Sequence, residues 1–392
     1  MPTSSRLTWF AILTAASLAS PANPAAAQTW RPTARLEGEV RYDNNLFLLT
    51  AARKRELATR PLADSLSGRI RDMESGTDVI PIGSLRLGFA GPGLGGRTID
   101  IAAEAAYEAN LRNAQRRHLE LGFAIEQSLP RGGRLRLAAD WRPGYFHKNY
   151  LADTVGLDAD ANIAPGERRY ARATSNEVDV ALQYRVRLAK AGDHPVGVSA
   201  ALQVGYLDRR YDAPFLGRSR SGPDAGAGLA LQIGPAWTLR LDYAFASLAD
   251  DPGPELLILD ENDFAQDFNG NLTATDTSAG AVVLVDHSRV EHEFGVTIQG
   301  DVGVAATVEL GYGRRLRNFS SDQPFDVVNR DRRDVLNELA AELDLRLASG
   351  LHLALGARRA AQSTNRPGDP ASIGDVADYT RLVASAGLRY RF

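Results

Sequence analysis

Apolar and polar residues alternate along much of this chain with a period of two. In residues 99–111 every odd-numbered position is apolar or aromatic, whereas Asp100, Glu104 and Glu108 occupy even-numbered positions. Residues 178–188 repeat the pattern, with an apolar or aromatic side chain at every even-numbered position. Successive side chains of a β-strand point to opposite faces, whereas an α-helix would mix the two sets on every face. The pattern therefore predicts β-strands with one apolar and one polar face.

About fourteen segments alternate in this way, and each is roughly 9 to 15 residues long. That length is sufficient for a tilted strand to cross the hydrocarbon of a membrane. The second segment alternates poorly and contains Pro81, which cannot donate a hydrogen bond to a neighbouring strand. The predicted strands span residues 33–43, 79–90, 98–112, 116–129, 134–146, 173–188, 196–210, 222–233, 237–248, 288–299, 304–317, 334–347, 351–361 and 379–392.

The connections between these segments alternate between short and long. Short connections such as GPGLGG, PRGG and GDVG consist of residues that accept the φ values of tight turns. Short turns on one side and long loops on the other predict an all-β fold, an antiparallel up-and-down transmembrane β-barrel of about 14 strands. An even strand number would place both termini in the periplasm. The longer polar segments lie at 44–78, 147–172, 249–287, 318–333 and 362–378.

A secreted soluble protein is the alternative interpretation of the same alternation. A β-sandwich would have a shared internal core, strands of about 5 to 6 residues and no asymmetry of its connections. A solenoid would show an internal repeat with a period of about 20 to 50 residues, and none is visible in the chain. The segment lengths and the alternation of turns and loops favour the barrel.

The first 27 residues have the features of a secretory signal peptide. An apolar run from Leu7 to Leu18 follows Arg6, and the small-residue stretch PAAAQ places cleavage after Ala27. The run is shorter than the roughly 20 residues of a membrane-spanning helix, which disfavours an uncleaved anchor. The chain has no cysteine, so neither a lipid-modified cysteine nor a disulfide is possible. We predict a cleaved signal peptide at 1–27 and one outer-membrane β-barrel at 28–392.

Composition narrows the classes of partner and of membrane protein. A formal net charge of -3 and a pI of about 6.1 provide no basic field for nucleic acid. The charged fraction of 24% and the mean hydropathy of -0.24 argue against a helical membrane protein. They do not argue against a barrel, because a barrel hides its charges in the lumen and presents apolar side chains to lipid at alternate residues.

Both ends of the predicted barrel carry sequence that resembles a known class. The chain ends on AGLRYRF, in which Leu388, Tyr390 and Phe392 alternate with glycine and arginine. This ending is similar to the last strand of Gram-negative outer-membrane β-barrels. The resemblance implies that these three residues form the signal recognised by the barrel assembly machinery. Residues 40–49, VRYDNNLFLL, resemble the first strand of porin-like barrels of envelope polysaccharide loci, with weaker similarity to the barrel domain of surface lipoprotein assembly modifiers.

The polar face of the predicted strands supplies the candidate lumen-lining residues. Both signs of charge are abundant on this face, so ion pairs between neighbouring strands could be purely structural. The functional interpretation is a wet, charged channel with weak selectivity. The candidates are Arg35, Glu37, Glu39, Arg41, Glu104, Glu108, Arg134, Arg136, Asp140, Arg142, Glu177, Asp179, Arg185, Arg187, Arg240, Asp242, Arg289, Glu291, Glu293, Glu338, Glu342, Asp344, Arg346, Arg389 and Arg391.

The sequence gives little support for an enzyme, a metal site or a cofactor. Acidic residues directly precede His194, His287 (Asp286) and His292, and adjacent residues of a strand face opposite ways. We therefore expect no catalytic residue, no zinc site and no cofactor. Residues 259–276 present many oxygen donors, which suits either a solvated acidic loop or a calcium site. The six histidines are scattered, at His118, His147, His194, His287, His292 and His352.

These observations predict a passive, weakly selective outer-membrane channel or export conduit for small polar or saccharide-like solutes. The alternative is a non-conducting barrel whose extracellular loops serve envelope assembly, surface export or adhesion. Segment 44–78 could fold inward as a constriction or remain an external loop. The expected partners are outer-membrane lipids and lipopolysaccharide, the barrel assembly machinery, and small polar solutes or polysaccharide.

Overall fold

The computed structural model describes most of the predicted barrel. The signal peptide predicted at 1–27 and residues 260–276 of the candidate calcium loop lie outside the described part of the chain. The described residues are 30–59, 73–151, 170–190, 196–251, 253–259, 281–323, 326, 329–365 and 378–392.

Fourteen strands form one closed antiparallel barrel, as the alternation predicts. Neighbours in sequence are neighbours in the sheet, and the last strand pairs with the first to close the ring. The barrel strands are β1 Arg31–Asp43, β2 Asp78–Pro92, β3 Thr98–Glu108, β4 His118–Ser128, β5 Arg134–Leu151, β6 Tyr170–Lys190, β7 Val196–Tyr211, β8 Arg220–Ile233, β9 Trp237–Asp250, β12 Arg289–Val302, β13 Ala306–Phe319, β14 Arg333–Ala348, β15 Leu351–Thr364 and β16 Tyr379–Arg391.

Two further short strands lie between β9 and β12, within the segment predicted as the long polar connection 249–287. They are β10 Glu255–Leu259 and β11 Ala281–Val285, and they pair only with each other. Apart from Glu255, their sequences, ELLIL and AVVLV, are apolar runs without alternation. The period of two therefore could not identify them.

β5 and β6 are longer than the alternation predicts. They pair as far as Leu151 and Tyr170, deep into the segment predicted as loop 147–172. The register of this pair shifts between Arg142 and Tyr145 and again between Phe146 and Lys148. Such β-bulges leave extra residues unpaired and change which face the following side chains occupy. The sequence pattern breaks there although the strand continues.

The outer face of the barrel is apolar and exposed. On β1 and β2, Leu36 lies opposite Leu85, and both side chains are about half exposed. A soluble sandwich would bury this face, so the alternative of a secreted soluble fold is wrong. Aromatic side chains gather at the edge that carries the short turns, as in the girdles of membrane barrels. The exposed members are Trp30, Phe89, Tyr184, Trp237, Tyr390 and Phe392.

The short turns occupy the same edge as the first residue of β1 and the last residue of β16. In the turn between β14 and β15, Gly350 has a φ of 74°. A Cβ atom at this position would lie 2.6 Å from the carbonyl oxygen of Arg391. Glycine is therefore required both by the left-handed conformation and by the close approach of β16.

We expect Phe123→Arg to destabilise the barrel by about 2 to 4 kcal/mol, because Phe123 is 45% exposed on the outer face at the centre of β4. Ala106→Arg is the control, since Ala106 lines the internal cavity beside carboxylates. Urea unfolding in lipid vesicles measures both. Equal destabilisation by the two arginines would contradict the assignment of the inner and outer faces.

Candidate functional site

The barrel encloses a cavity of about 400 Å³. One wall, from β1 to β4, is rich in carboxylates such as Glu39, Glu104 and Glu108. The adjoining wall across the seam, from β13 to β16, is formed largely by small residues such as Gly356 and Ser385. Eight glutamates and eight arginines line the cavity in total, so its charge is mixed. The open space lies where small side chains leave the lumen unfilled.

The predicted lumen residues divide among three places. A smaller cavity of about 130 Å³ is lined by Asp140, Glu177, Asp179, Arg289 and Glu291. The remaining candidates lie on the same inward alternation of their strands but line neither cavity; they are Arg134, Arg136, Arg185, Arg187, Arg240, Asp242, Glu293, Asp344, Arg346 and Arg391. The large cavity is lined by Arg35, Glu37, Glu39, Arg41, Glu104, Glu108, Arg142, Glu338, Glu342 and Arg389.

On the side of the short turns, Arg389 connects three strands. Its guanidinium lies 2.9 Å from Glu37 on β1, 3.0 Å from Glu342 on β14 and 3.2 Å from Asp344. Glu37 also accepts a hydrogen bond from Arg35 at 2.6 Å. Because β16 closes the ring against β1, this group of charges ties the closing seam of the barrel from the inside.

A second network lies toward the long loops. Arg142 on β5 is 2.5 Å from Glu120 and 3.0 Å from Glu177, and Arg209 on β7 is 2.6 Å from Glu177. Removing one partner of such a buried set leaves a charge without compensation, which typically costs about 3 to 5 kcal/mol. The sequence analysis missed Arg209, although it occupies an inward position of the alternation.

Segment 44–49 folds into the lumen after β1 ends. Leu46 lines the large cavity together with strand residues. Leu46, Phe47 and Leu49 are each less than one-tenth exposed. Of the two interpretations of segment 44–78, the inward one is correct for these residues. They pack against Met73, Ile80 and Phe146 in one apolar cluster.

The tip of this segment contacts opposite walls of the barrel. Phe47 packs edge to face on Phe146 of β5, with ring centroids 6.5 Å apart. The next residue, Leu48, packs against a cluster that includes Leu336 of β14 and Tyr379 of β16. β5 and β14 are seven strands apart in a ring of fourteen, so they face each other across the lumen. The inward loop, residues 44–49, therefore spans the barrel.

Buried polar contacts fix the inward loop at its base. The Asn45 side-chain amide donates to the carbonyl oxygens of Leu49 at 2.9 Å and of Thr380 at 2.8 Å. The Asn45 side-chain oxygen accepts from the Leu49 N–H at 2.8 Å. Asp43, which is fully buried, accepts from the Arg381 Nε at 2.9 Å. The loop is thereby anchored to β16, its neighbour across the seam.

The return of the chain to β2 is fixed by a second buried carboxylate. Asp78 accepts hydrogen bonds from the backbone N–H groups of Leu111, Arg112 and Asn113 at 2.9 to 3.1 Å. The Asn113 amide also donates to Asp78 and to the Ser75 carbonyl oxygen. Both ends of segment 44–78 are therefore held by side chains that cap neighbouring backbone.

A short helix, α1 Ala51–Thr59, follows the inward loop. Residues 60–72 lie outside the described part of the chain. Partial burial lowers the pKa of Lys54 in this helix, and the nearby Asp43 carboxylate opposes that change. Within the described residues, no helix is long and apolar enough to span a membrane.

Two histidines that the sequence shows as scattered lie in one row of rings near the long loops. His118, Tyr145, His147 and Tyr211 follow each other with ring centroids 4.8 to 4.9 Å apart. They come from β4, β5 and β7, so only the register of the sheet shows their proximity. Among the described residues, no group of three or more histidine or carboxylate side chains is placed to hold a metal.

The surroundings of His147 contain a serine and a glutamate but not the geometry of a catalytic triad. His147 Nε2 lies 2.8 Å from Ser175 Oγ and 3.7 Å from Glu177 Oε1. In a triad the acid orients the opposite ring nitrogen from the one that contacts the nucleophile. Here both groups approach the same nitrogen, and both His147 and Ser175 are buried. The arrangement is that of a packed polar core.

A basic region lies in the half of the lumen nearest the short turns. Arg134 and Arg185 are directly opposite each other on β5 and β6. Like charges in this position destabilise a sheet. Arg240 on β9 is buried, and its Nη2 donates to the Gln299 side chain at 2.8 Å, whereas its Nε and Nη1 have no hydrogen-bond partner within the described protein.

Small residues separate the arginines of this region. Across β6 to β9, Arg187 is followed in register by Ser199, Ala230 and Arg240. The adjacent row contains Arg185, two small residues and Asp242. We name Arg136, Arg185, Arg187 and Arg240 the turn-side arginines.

Comparison with known proteins relates the chain to solved barrels. No protein-family model and no curated protein matches the sequence. Similar solved structures are the anion-selective porin from Comamonas acidovorans, with 10% identity over 93% of this chain and 100% of that chain and a TM-score of 0.39; the outer membrane channel DcaP of Acinetobacter baumannii, with 10% identity over 94% and 98% and a TM-score of 0.42; and OccAB3 of the same organism, with 9% identity over 92% and 99% and a TM-score of 0.40.

The closed antiparallel sheet, the exposed apolar outer face and the charged interior agree with one architecture. Apolar side chains that alternate with lumen charges suit a sheet with lipid on one side and water on the other. The chain is a closed 14-stranded antiparallel β-barrel of the kind that spans a membrane.

Proposed function

We propose that this barrel is a passive channel for small polar solutes, and that its inward loop sets the width of the passage. The observation that carries the proposal is the cavity of about 400 Å³ in the lumen, lined by charged and small residues. Barrels of eight strands are filled by their own side chains, whereas those of about 16 to 18 leave an aqueous channel. Fourteen strands with one wall of small residues retain internal space.

Weak selectivity follows from the charge of the cavity. Its glutamates and arginines are equal in number, and most are paired, as Arg41 is with Glu108 at 2.9 Å and Arg358 with Glu338 at 3.3 Å. Paired charges exert little net field on a passing ion. Among the described residues, the turn-side arginines Arg136 and Arg185 form no ion pair. Their uncompensated positive charge supports a modest preference for anions.

Saccharide-like solutes also suit this lumen. Carboxylates and guanidinium groups that are already paired can exchange hydrogen bonds with solute hydroxyl groups without leaving an unpaired charge. Transport of this kind is passive and includes no catalytic step. A non-conducting assembly or adhesion scaffold is the alternative, and the contact of the inward loop with opposite walls favours it.

Single-channel recording distinguishes the two functions. Residues 28–392 are refolded and inserted into planar bilayers, and current is recorded in a symmetric salt solution and then under a salt gradient. Small, weakly anion-selective steps would support the channel. Complete absence of conductance in the wild-type chain and in a variant without the inward loop would leave the scaffold as the function.

The carboxyl-terminal residues support a proposal about assembly. Leu388, Tyr390 and Phe392 all point outward, and the rings of Tyr390 and Phe392 meet edge to face at 4.5 Å. Phe392 is 74% exposed although its N–H donates to the carbonyl oxygen of Ala34. An exposed ring on a paired terminal residue contributes little to packing, so we propose that it serves recognition by the assembly machinery in the periplasm.

Deletion of Phe392 is expected to leave export to the periplasm intact and to lower the fraction of folded barrel in the outer membrane. Cell fractionation followed by heat-modifiable migration on gels measures both quantities. Leu94→Ser, at an exposed position of a short turn, is the control. Normal assembly of the truncated chain would show that the terminal ring is dispensable.

A further inference from the structure

Two arginines interrupt the apolar outer face of the barrel. Arg314 on β13 and Arg359 on β15 are both exposed. They occupy the outward alternation, which they share with the exposed Leu310 and Tyr312 on β13 and Leu355 on β15. Charged side chains on the lipid face of a membrane barrel are costly near the midplane and inexpensive at the interfaces. Their height on the barrel therefore decides what they contact.

Both arginines lie close to the boundary of the apolar belt on the side of the long loops. Each is eight residues from the first residue of its strand at the short-turn edge, Ala306 for Arg314 and Leu351 for Arg359. At a rise of about 3.3 Å per residue and a tilt near 40°, eight residues span roughly 20 Å of height. Leu351 pairs with Tyr390 of the lower aromatic girdle. The apolar belt is about 25 Å tall, so both guanidinium groups reach the outer interface.

Neither guanidinium forms an ion pair within the described part of the protein. Arg210 provides the contrast, because it is also exposed near the long loops and lies 2.8 Å from Asp208 and 2.6 Å from Asp251. Arg314 faces Asn337 across β13 and β14. Asn337 accepts a hydrogen bond from the hydroxyl of Tyr312 at 2.9 Å, which leaves its amide N–H groups free to donate outward.

The two arginines are close enough to act on one ligand. Arg359 lies opposite Leu339 on β14, two residues from Asn337, which lies opposite Arg314. They are thus two strands and two residues apart, a separation of roughly 12 Å between backbones. Extended guanidinium side chains can close much of that distance.

We propose that Arg314, Asn337 and Arg359 bind the phosphorylated headgroup of a glycolipid in the outer leaflet, the lipid A portion of lipopolysaccharide. Guanidinium groups bind phosphate oxygens through paired, charge-assisted hydrogen bonds. The long loops place this end of the barrel at the extracellular leaflet. An unpaired basic set at that height complements the phosphates of this leaflet, while the flanking leucine and tyrosine side chains contact its acyl chains.

The test measures retention of lipid A by the refolded mature chain in neutral detergent, using native mass spectrometry. We expect the wild-type chain to retain lipid A about tenfold better than Arg314→Gln/Arg359→Gln, because that double variant removes both charge-assisted contacts. Arg31→Gln/Arg131→Gln is the matched control. It removes the same charge from exposed positions at the short-turn edge and should retain lipid A as the wild type does.

The choice of lipid identifies the source of the phosphate. The wild-type chain should retain dephosphorylated lipid A about tenfold less well than it retains lipid A. It should retain phosphatidylglycerol no better than the double variant does. Arg314→Lys/Arg359→Lys keeps the charge but loses the planar fork of the guanidinium group. Its lipid A retention should lie between that of the wild type and that of the double glutamine variant. Heat-modifiable migration verifies that each variant is folded. Equal lipid A retention by the wild type and the double glutamine variant, or equal retention of phosphatidylglycerol and lipid A, would overturn the proposal.

Discussion

Replacement of residues 45–76 by an Asn-Gly turn is expected to increase single-channel conductance several-fold. The inward loop contacts Phe146 on one wall and the cluster of Leu336 and Tyr379 on the opposite wall, so it divides the lumen near its mouth. Asp43 and Asp78 are cross-strand partners at the base of the loop. A short hairpin can therefore rejoin β1 and β2 without changing their register.

A graded set of variants separates a change in width from a loss of the barrel. Leu48→Ser removes the contact with the far wall and keeps the anchors at Asn45 and Asp78. It should therefore raise conductance less than the excision and increase the flicker of the open current. Leu94→Ser makes the same exchange at a turn position that is 81% exposed and should conduct as the wild type does. If the wild-type chain has the same single-channel conductance as the excision variant, the loop does not limit the passage.

The anchors of the loop explain why a single tip substitution is expected to act partially. Asp43 and Asn45 connect it to β16, and the Asp78 carboxylate collects backbone donors from the next loop. A buried donor that loses its acceptor costs about 1 to 3 kcal/mol. The base is therefore more strongly held than the tip, and the tip is the part that can move while the barrel stays folded.

The strand order of the barrel could be predicted because its signal is local. Each strand repeats the same alternation, and the fourteen predicted segments correspond to the fourteen barrel strands. The prediction ended early in β5 because two β-bulges change the face of Tyr145 and the residues after it. It missed β10 and β11 because a fully apolar run such as AVVLV has no period.

The constriction and the row of rings could not be predicted in the same way. Asn45 finds its acceptor at Thr380, and Leu48 finds its contacts on β14 to β16, more than 280 residues along the chain. His118 and His147 meet through Tyr145 only because two strand registers bring them to one level. Alternation gives the face of a residue but not its height, and proximity across the lumen depends on height.

For the charged residues too, the sequence predicted the face of the strand but not the contacts. The sequence analysis placed Arg134, Arg136, Arg142, Arg185 and Arg187 on the polar face of two adjacent strands. In the structure Glu126 lies 2.7 Å from Arg134 and Glu177 lies 3.0 Å from Arg142, so two of these five arginines are paired. Arg136 and Arg185 form no ion pair among the described residues. The remaining charge is therefore concentrated on the turn-side arginines.

Reversal of charge at two turn-side arginines, Arg136→Glu/Arg185→Glu, is expected to convert a weak preference for anions into a preference for cations. Both side chains are only partly buried, so glutamates at these positions remain hydrated and the barrel remains folded. Asp242 and Glu126 already contribute negative charge nearby. The reversed region would thus change from a net positive to a net negative charge, and a negatively charged cleft concentrates cations.

Reversal potentials under a salt gradient measure this preference, and Arg136→Lys/Arg185→Lys is the control that keeps the sign. The difference between the glutamate and lysine variants should shrink as salt increases, because exposed charges are screened over about 10 Å at 0.1 M and about 3 Å at 1 M. A preference that survives high salt would have to come from buried charge, such as Arg240. Identical reversal potentials for the two variants at low salt would mean that ions do not pass the turn-side arginines, and that the conducting path follows the small-residue wall of β13 to β16 instead.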